Sequence, residues 1–172
     1  RVIYYPQVLY PSESGIRADY EKTLHELAEA EGVNEVEKGY AQIDQKVSFT
    51  VWDTPLKRTI YFLNIDWASS QKIHQAELML GNKHFSVNIR PYQLETVHIA
   101  CGLAVLPFSN TTDILSIEKD EEGWTIMVQT TGMDTLKVFN SISGEVVEYT
   151  ITNSGVSTLK IDNNDVIMGN LI

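Results

Sequence analysis

The chain has 172 residues and a mass of 19.4 kDa, enough to bury one sizeable core or two small ones. Hydrophobic residues make up 43% and charged residues 21%, ordinary for a globular protein, and no apolar run approaches the roughly 18 residues of a membrane span. Thirteen basic against twenty-three acidic residues leave a net charge of -10, which repels a phosphate backbone and argues against nucleic-acid binding, while the single Cys101 excludes an internal disulfide and any multi-cysteine metal site.

The first residue is Arg1, and "RVIYYPQVLYP" is an apolar, strand-like opening with no initiator Met and no signal-peptide layout, as expected of a piece of a longer polypeptide. Ser12 to Gly32 then carries the strong helical signal. Ile16, Tyr20, Leu24, Leu27 and Ala28 fall on one face, Ser12 or Ser14 stands where an N-cap is wanted, and Gly32 stands at the C-terminal stop. Residues 1–45 therefore read as an N-terminal junction segment with an amphipathic helix near 14–31.

After Gly32 the period changes from helical to two. Strands are predicted over 46–52, 59–66, 74–80, 83–90 and 94–107, and then over 114–119, 123–130, 135–141, 145–152 and 156–162. The connections "WDTPLKR", "LGNKH", "KDEEGW", "TTGMDT", "SISGEV" and "TNSGVS" are short and rich in turn residues, as hairpins require. Many short strands without crossover helices predict a mostly β fold, an antiparallel β-sandwich of one or two packed β units preceded by one helix. The polar break "PFSNTTD" divides it into a unit over 46–108 and a second unit, or second half of the same sandwich, over 109–172.

Few residues carry a chemical signature. His25, His74, His84 and His98 form no metal or catalytic motif, and no phosphate loop, dinucleotide fingerprint or nucleophile elbow occurs, so no cofactor and no metal is expected. Cys101 lies three residues after His98, but its apolar neighbours read as buried strand, where a thiol serves as a small hydrophobe. Asp53 and Asp66 each adjoin a tryptophan and would be the acid and base if the chain hydrolysed glycosides; their structural alternative is to end strands by binding backbone amides. Exposed rings at Trp52, Trp67, Trp124, Tyr61 and Tyr92 would stack on sugar faces, although strand aromatics more often serve the core. The residues singled out for ligand contact are Trp67, Trp52 and Asp66.

From "YPSESGIRADYEKTLHELAEAEG" through "VSFTVWDTPLKRTIYFLNIDW" to "VNIRPYQLETVHIACGLAVLP", the order of features resembles the C-terminal region of multidomain glycoside hydrolases, where a catalytic barrel is followed by antiparallel β-sandwich domains. The resemblance covers about the first 107 residues and contains no catalytic motif. It implies a non-catalytic accessory domain of a bacterial carbohydrate-active enzyme, with the catalytic domain of the parent polypeptide as partner, a poly- or oligosaccharide as a second partner, and no insertion into a membrane. An extracellular or periplasmic location is favoured over the cytoplasm. The alternatives are an autonomous carbohydrate-binding module, a small enzyme built on Asp53 and Asp66, and a surface adhesion or assembly domain.

Overall fold

The computed structural model describes residues 40–43, 46–66, 71–164 and 167–171. The helix expected near 14–31 lies outside the described residues, as does Trp67. The described chain is mostly β and every strand pair in it is antiparallel. Its strands are β1 (Tyr40–Ile43), β2 (Val47–Asp53), β3 (Arg58–Asn64), β4 (His74–Leu80), β5 (Lys83–Ile89), β6 (Leu94–Ala100), β7 (Leu103–Pro107), β8 (Thr112–Lys119), β9 (Gly123–Thr130), β10 (Asp134–Asn140), β11 (Val146–Ile151), β12 (Gly155–Asp162) and β13 (Ile167–Leu171).

These strands form three sheets. A six-stranded sheet runs β11-β10-β7-β6-β3-β2, a three-stranded sheet runs β1-β4-β5, and a four-stranded sheet runs β13-β12-β9-β8. Two hydrophobic cores show how the sheets are layered. One gathers Val47, Ile60, Phe62, Val97, Ala104 and Phe139 of the six-stranded sheet with Ala76, Leu78, Phe85, Val87 and Ile89 of the three-stranded sheet. The other gathers Leu103, Val105, Leu136, Val138 and Ile151 of the six-stranded sheet with Ile114, Ile117, Trp124, Ile126, Val128, Leu159 and Ile161 of the four-stranded sheet.

Side-chain alternation assigns those cores to opposite faces. Along β7, Leu103 and Val105 enter one core and Ala104 enters the other; along β10, Leu136 and Val138 separate from Phe139 in the same way. The six-stranded sheet is therefore central, with one smaller sheet on each face. β7 and β10 are covered on both faces, which is why "LAVLP" is apolar throughout. β2 and β3 are covered on one, and the tryptophan of "VSFTVW" points away from the core.

The chain passes between layers where its turn chemistry changes. The run 94–107, expected as one strand, is the hairpin β6–β7, turned by Cys101 and Gly102 with positive φ of 51° and 81° and closed by the Ala100–Leu103 pair. Those angles belong to a type I′ turn, whose twist matches the strands it joins. Cys101 consequently sits at an exposed turn, its thiol donating to the Ile117 carbonyl at 3.5 Å, and is not the buried strand residue that its apolar neighbours implied. After Pro107 the chain leaves the central sheet and enters the four-stranded one at Thr112; β10 and β11 later return to the central sheet beside β7.

Candidate functional site

Asn64 ends β3 on the buried face. Its amide donates to the Lys72 and Ile89 carbonyls at 2.9 and 3.3 Å, and its side-chain oxygen accepts the Asp66 amide at 3.0 Å. One side chain thus ties the exit of β3 to the entry of β4 and the end of β5, replacing backbone bonds lost where the strands stop. The Asp66 carboxylate lies 3.0 Å from His74 Nε2, with side-chain exposures of 8% and 1%, so it faces a histidine inside the fold.

Asp53 stands at the other end of the β2–β3 hairpin. It holds Arg58 through two bonds of 2.8 and 3.0 Å, and the guanidinium keeps its carboxyl below the ordinary carboxylate range. The register pairs Val47 with Asn64 and Asp53 with Arg58, so Asp53 lies at one end of the paired strands and Asp66 beyond the other. Six residue steps at ~3.3 Å separate those ends by about 20 Å, twice the widest carboxylate spacing of a glycosidase. These two groups cannot flank one glycosidic bond.

The turn between β5 and β6 is clamped by a second ion pair. Arg90 binds the Glu95 carboxylate at 2.5 and 3.0 Å and lies 4.0 Å from the Phe108 ring centre. Beside it, a groove of about 280 Å³ opens between β5 and the central sheet, lined by Ile73, Asn88, Leu106 and Lys137 among others, and a second hollow of about 260 Å³ continues past Leu106 and Lys137 to Val146.

On the opposite face of the central sheet, the four-stranded sheet covers the β7–β11 end and reaches β6 through β8, and residues of β2, β3 and β6 stand in three cross-strand rows. Trp52 pairs with Thr59 and Thr59 with His98; Thr50 pairs with Tyr61 and Tyr61 with Thr96; Ser48 pairs with Leu63 and Leu63 with Leu94. Trp52 is 63% exposed, Leu63 and Leu94 are exposed, and Tyr61 is half-buried. Thr59 and His98, in the same row as Trp52, are buried and share a 3.2 Å hydrogen bond. Burial pushes the His98 imidazole down to about 4, with Lys57 adding to the effect and Asp113 opposing it, so at neutral pH the ring is uncharged.

Of the residues singled out in the sequence, Trp52 and Tyr61 are on this face and Asp66 is not. Trp124 is 2% exposed in a core and donates its indole N–H to the Cys101 carbonyl, leaving its ring to the core and to Lys119. Tyr92 is exposed on the β5–β6 turn. The hydroxyls of Thr50 and Thr96 were missed, because what makes them neighbours of Tyr61 is the strand register, which no local pattern carries. Among the described residues, no group of three or more His, Cys, Asp or Glu side chains is placed to hold a metal ion, and no helix is long and apolar enough to cross a membrane. No protein family, curated protein or solved structure matches the chain.

Proposed function

We propose that this chain is a non-catalytic accessory β-sandwich domain of a carbohydrate-active enzyme, packing on the catalytic domain of a parent glycoside hydrolase. One observation carries the reading. The polar residues within the stretches that resemble glycoside hydrolase tails, Asn64, Asp66, Arg90 and Glu95, are bound to groups of the chain itself and hold strand ends together. They serve as scaffold, as a non-catalytic accessory domain requires.

The test is the native polypeptide. Mass spectrometry of the protein captured from its source cells with an antibody to this chain should return, in one polypeptide, peptides of a glycoside hydrolase barrel of about 250 residues. A native polypeptide without any hydrolase sequence would overturn the proposal. The purified 172-residue chain should release no sugar from polysaccharides or aryl glycosides, and turnover by it would overturn the proposal equally. A second reading, the autonomous carbohydrate-binding module, is favoured by the exposed Trp52 ring on its open sheet face.

A further inference from the structure

We propose that the open face of β2, β3 and β6 is a binding site for a neutral linear oligosaccharide, lying along the diagonal Trp52–Tyr61–Leu94. The inference rests on the reading of the chain as part of a carbohydrate-active protein and adds the place and the chemistry of recognition.

The diagonal follows from the register. Trp52 is opposite Thr59, two residues before Tyr61, and Tyr61 is opposite Thr96, two residues after Leu94. Each step is a diagonal cross-strand neighbour, spaced by roughly 7–8 Å. Three apolar groups on adjacent strands thus form an oblique stripe that begins at the exposed edge strand, where Trp52 is open to solvent.

Hydroxyls flank the stripe. Thr50 adjoins Tyr61 on the β2 side and Thr96 adjoins it on the β6 side. A pyranose ring offers an apolar C–H face bordered by equatorial hydroxyls, so it matches rings in the middle and hydroxyl groups at the sides. Tyr61 supplies both functions, since its ring is apolar and its phenol is a donor and acceptor.

Charge selects the occupant. The chain carries a net charge of -10, yet the cross-strand rows of this face consist of Trp, Tyr, Leu, Thr, Ser and His, with no Asp, Glu, Lys or Arg among them. The Asp53–Arg58 pair that adjoins Trp52 in sequence points to the opposite face, with Val51 and Ile99. The nearest charges, Lys57 and Asp113 beside His98, bind each other at 3.4 Å, so the rows themselves suit an uncharged ligand, and an anionic glycan meets there only a cation that is already paired.

The experiment is isothermal titration calorimetry of the full chain with linear hexaoses of glucose, xylose, mannose and galactose, with oligogalacturonate as the anionic comparison. At least one neutral hexaose should bind, and oligogalacturonate should bind none or far more weakly. Trp52→Ala should weaken the neutral ligand by about tenfold or more, through lost stacking area. Tyr61→Phe should lose less than Tyr61→Ala, and Lys137→Ala, in the groove on the other face, should change nothing. Each variant is checked by its denaturation midpoint, and Trp52→Phe, which keeps a ring, should retain most of the affinity.

No heat with any neutral hexaose would overturn the proposal, as would binding unchanged in Trp52→Ala. A concentration-dependent dimer abolished by Trp52→Ala, without glycan binding, would assign the face to a protein contact and overturn it too. The two readings fail separately. Absent binding by a chain whose native polypeptide carries a hydrolase barrel removes the site alone, whereas binding by a chain whose native polypeptide lacks one removes the parent enzyme alone.

Discussion

The two ends of the central sheet differ in how many of their faces are covered. At β7 and β10 both faces meet another sheet, and Leu103, Ala104 and Val105 are all at 0% exposure. At β2 and β3 one face meets the three-stranded sheet through Val47, Ile60 and Phe62, and the other presents Trp52, Tyr61 and Leu63. Both regions are built of antiparallel pairs, a hairpin for β2 and β3 and a pairing across β8 and β9 for β7 and β10, so the difference lies in which outer sheet reaches how far. Among the described residues it separates side chains that hold the fold from side chains that no outer sheet covers, and it places the candidate binding groups on the end that is uncovered among those residues.

If that division is right, truncation should be costly at one end and nearly neutral at the other. Leu103→Ala leaves a void in a dry core and should cost about 2–5 kcal/mol, while Trp52→Ala should stay within ~0.5 kcal/mol, both read from urea unfolding midpoints. Similar costs for the two variants would mean that the ends are equally packed.

Acid should attack the boundary between the two ends, where His98 lies. The folded imidazole titrates at about 4 and the unfolded one near 6.5, so unfolding takes up a proton between those values. Stability from this group is complete above pH ~6.5 and is lost as the pH falls toward ~4, by up to about 3 kcal/mol at ~1.4 kcal/mol per unit. Unfolding midpoints measured at about pH 7 and pH 4.5 should differ less in His98→Gln than in the parent chain. An equal acid sensitivity in the two would place the titrating group elsewhere.

A smaller effect is expected where β3 leaves the central sheet. Asn64→Ala strips the Lys72 and Ile89 carbonyls of their donor and should cost about 1–3 kcal/mol, with faster amide exchange confined to the ends of β3 and β5. A smaller effect again belongs to the solvated Asp53–Arg58 pair. Asp53→Asn should cost under ~1 kcal/mol and progressively less in added salt.

How much of this was legible in the sequence follows the same division. Strands covered on one face announced themselves by alternation, and "HQAELML" and "GWTIMVQT" fall on β4 and β9 with their predicted bounds. The same alternation separates Tyr61 and Leu63 from Phe62 and Asn64, as the sheet does. A strand covered on both faces has no alternation to read. "HIACGLAVLP" therefore looked like one long strand, and Cys101 with its positive φ of 51° hid the turn, because a cysteine is not a residue that advertises a left-handed position. The short edge strands β1 and β13 were missed for lack of length. For the site, Trp52 was visible as an aromatic at a strand end, whereas its grouping with Tyr61, Leu94 and the threonines depends on pairing between strands distant in sequence, which no local pattern carries.

The claim that binding belongs to the uncovered end is met most directly by a two-dimensional amide NMR titration of the full chain with the neutral hexaose that binds best. Shift changes confined to β2, β3 and β6, with the amides of Ile73, Asn88, Leu106 and Lys137 in the groove beside β5 unmoved, are the expected result. Shifts centred on Asn88, Leu106 and Lys137 in that groove, or no shifts at saturating sugar, would contradict it.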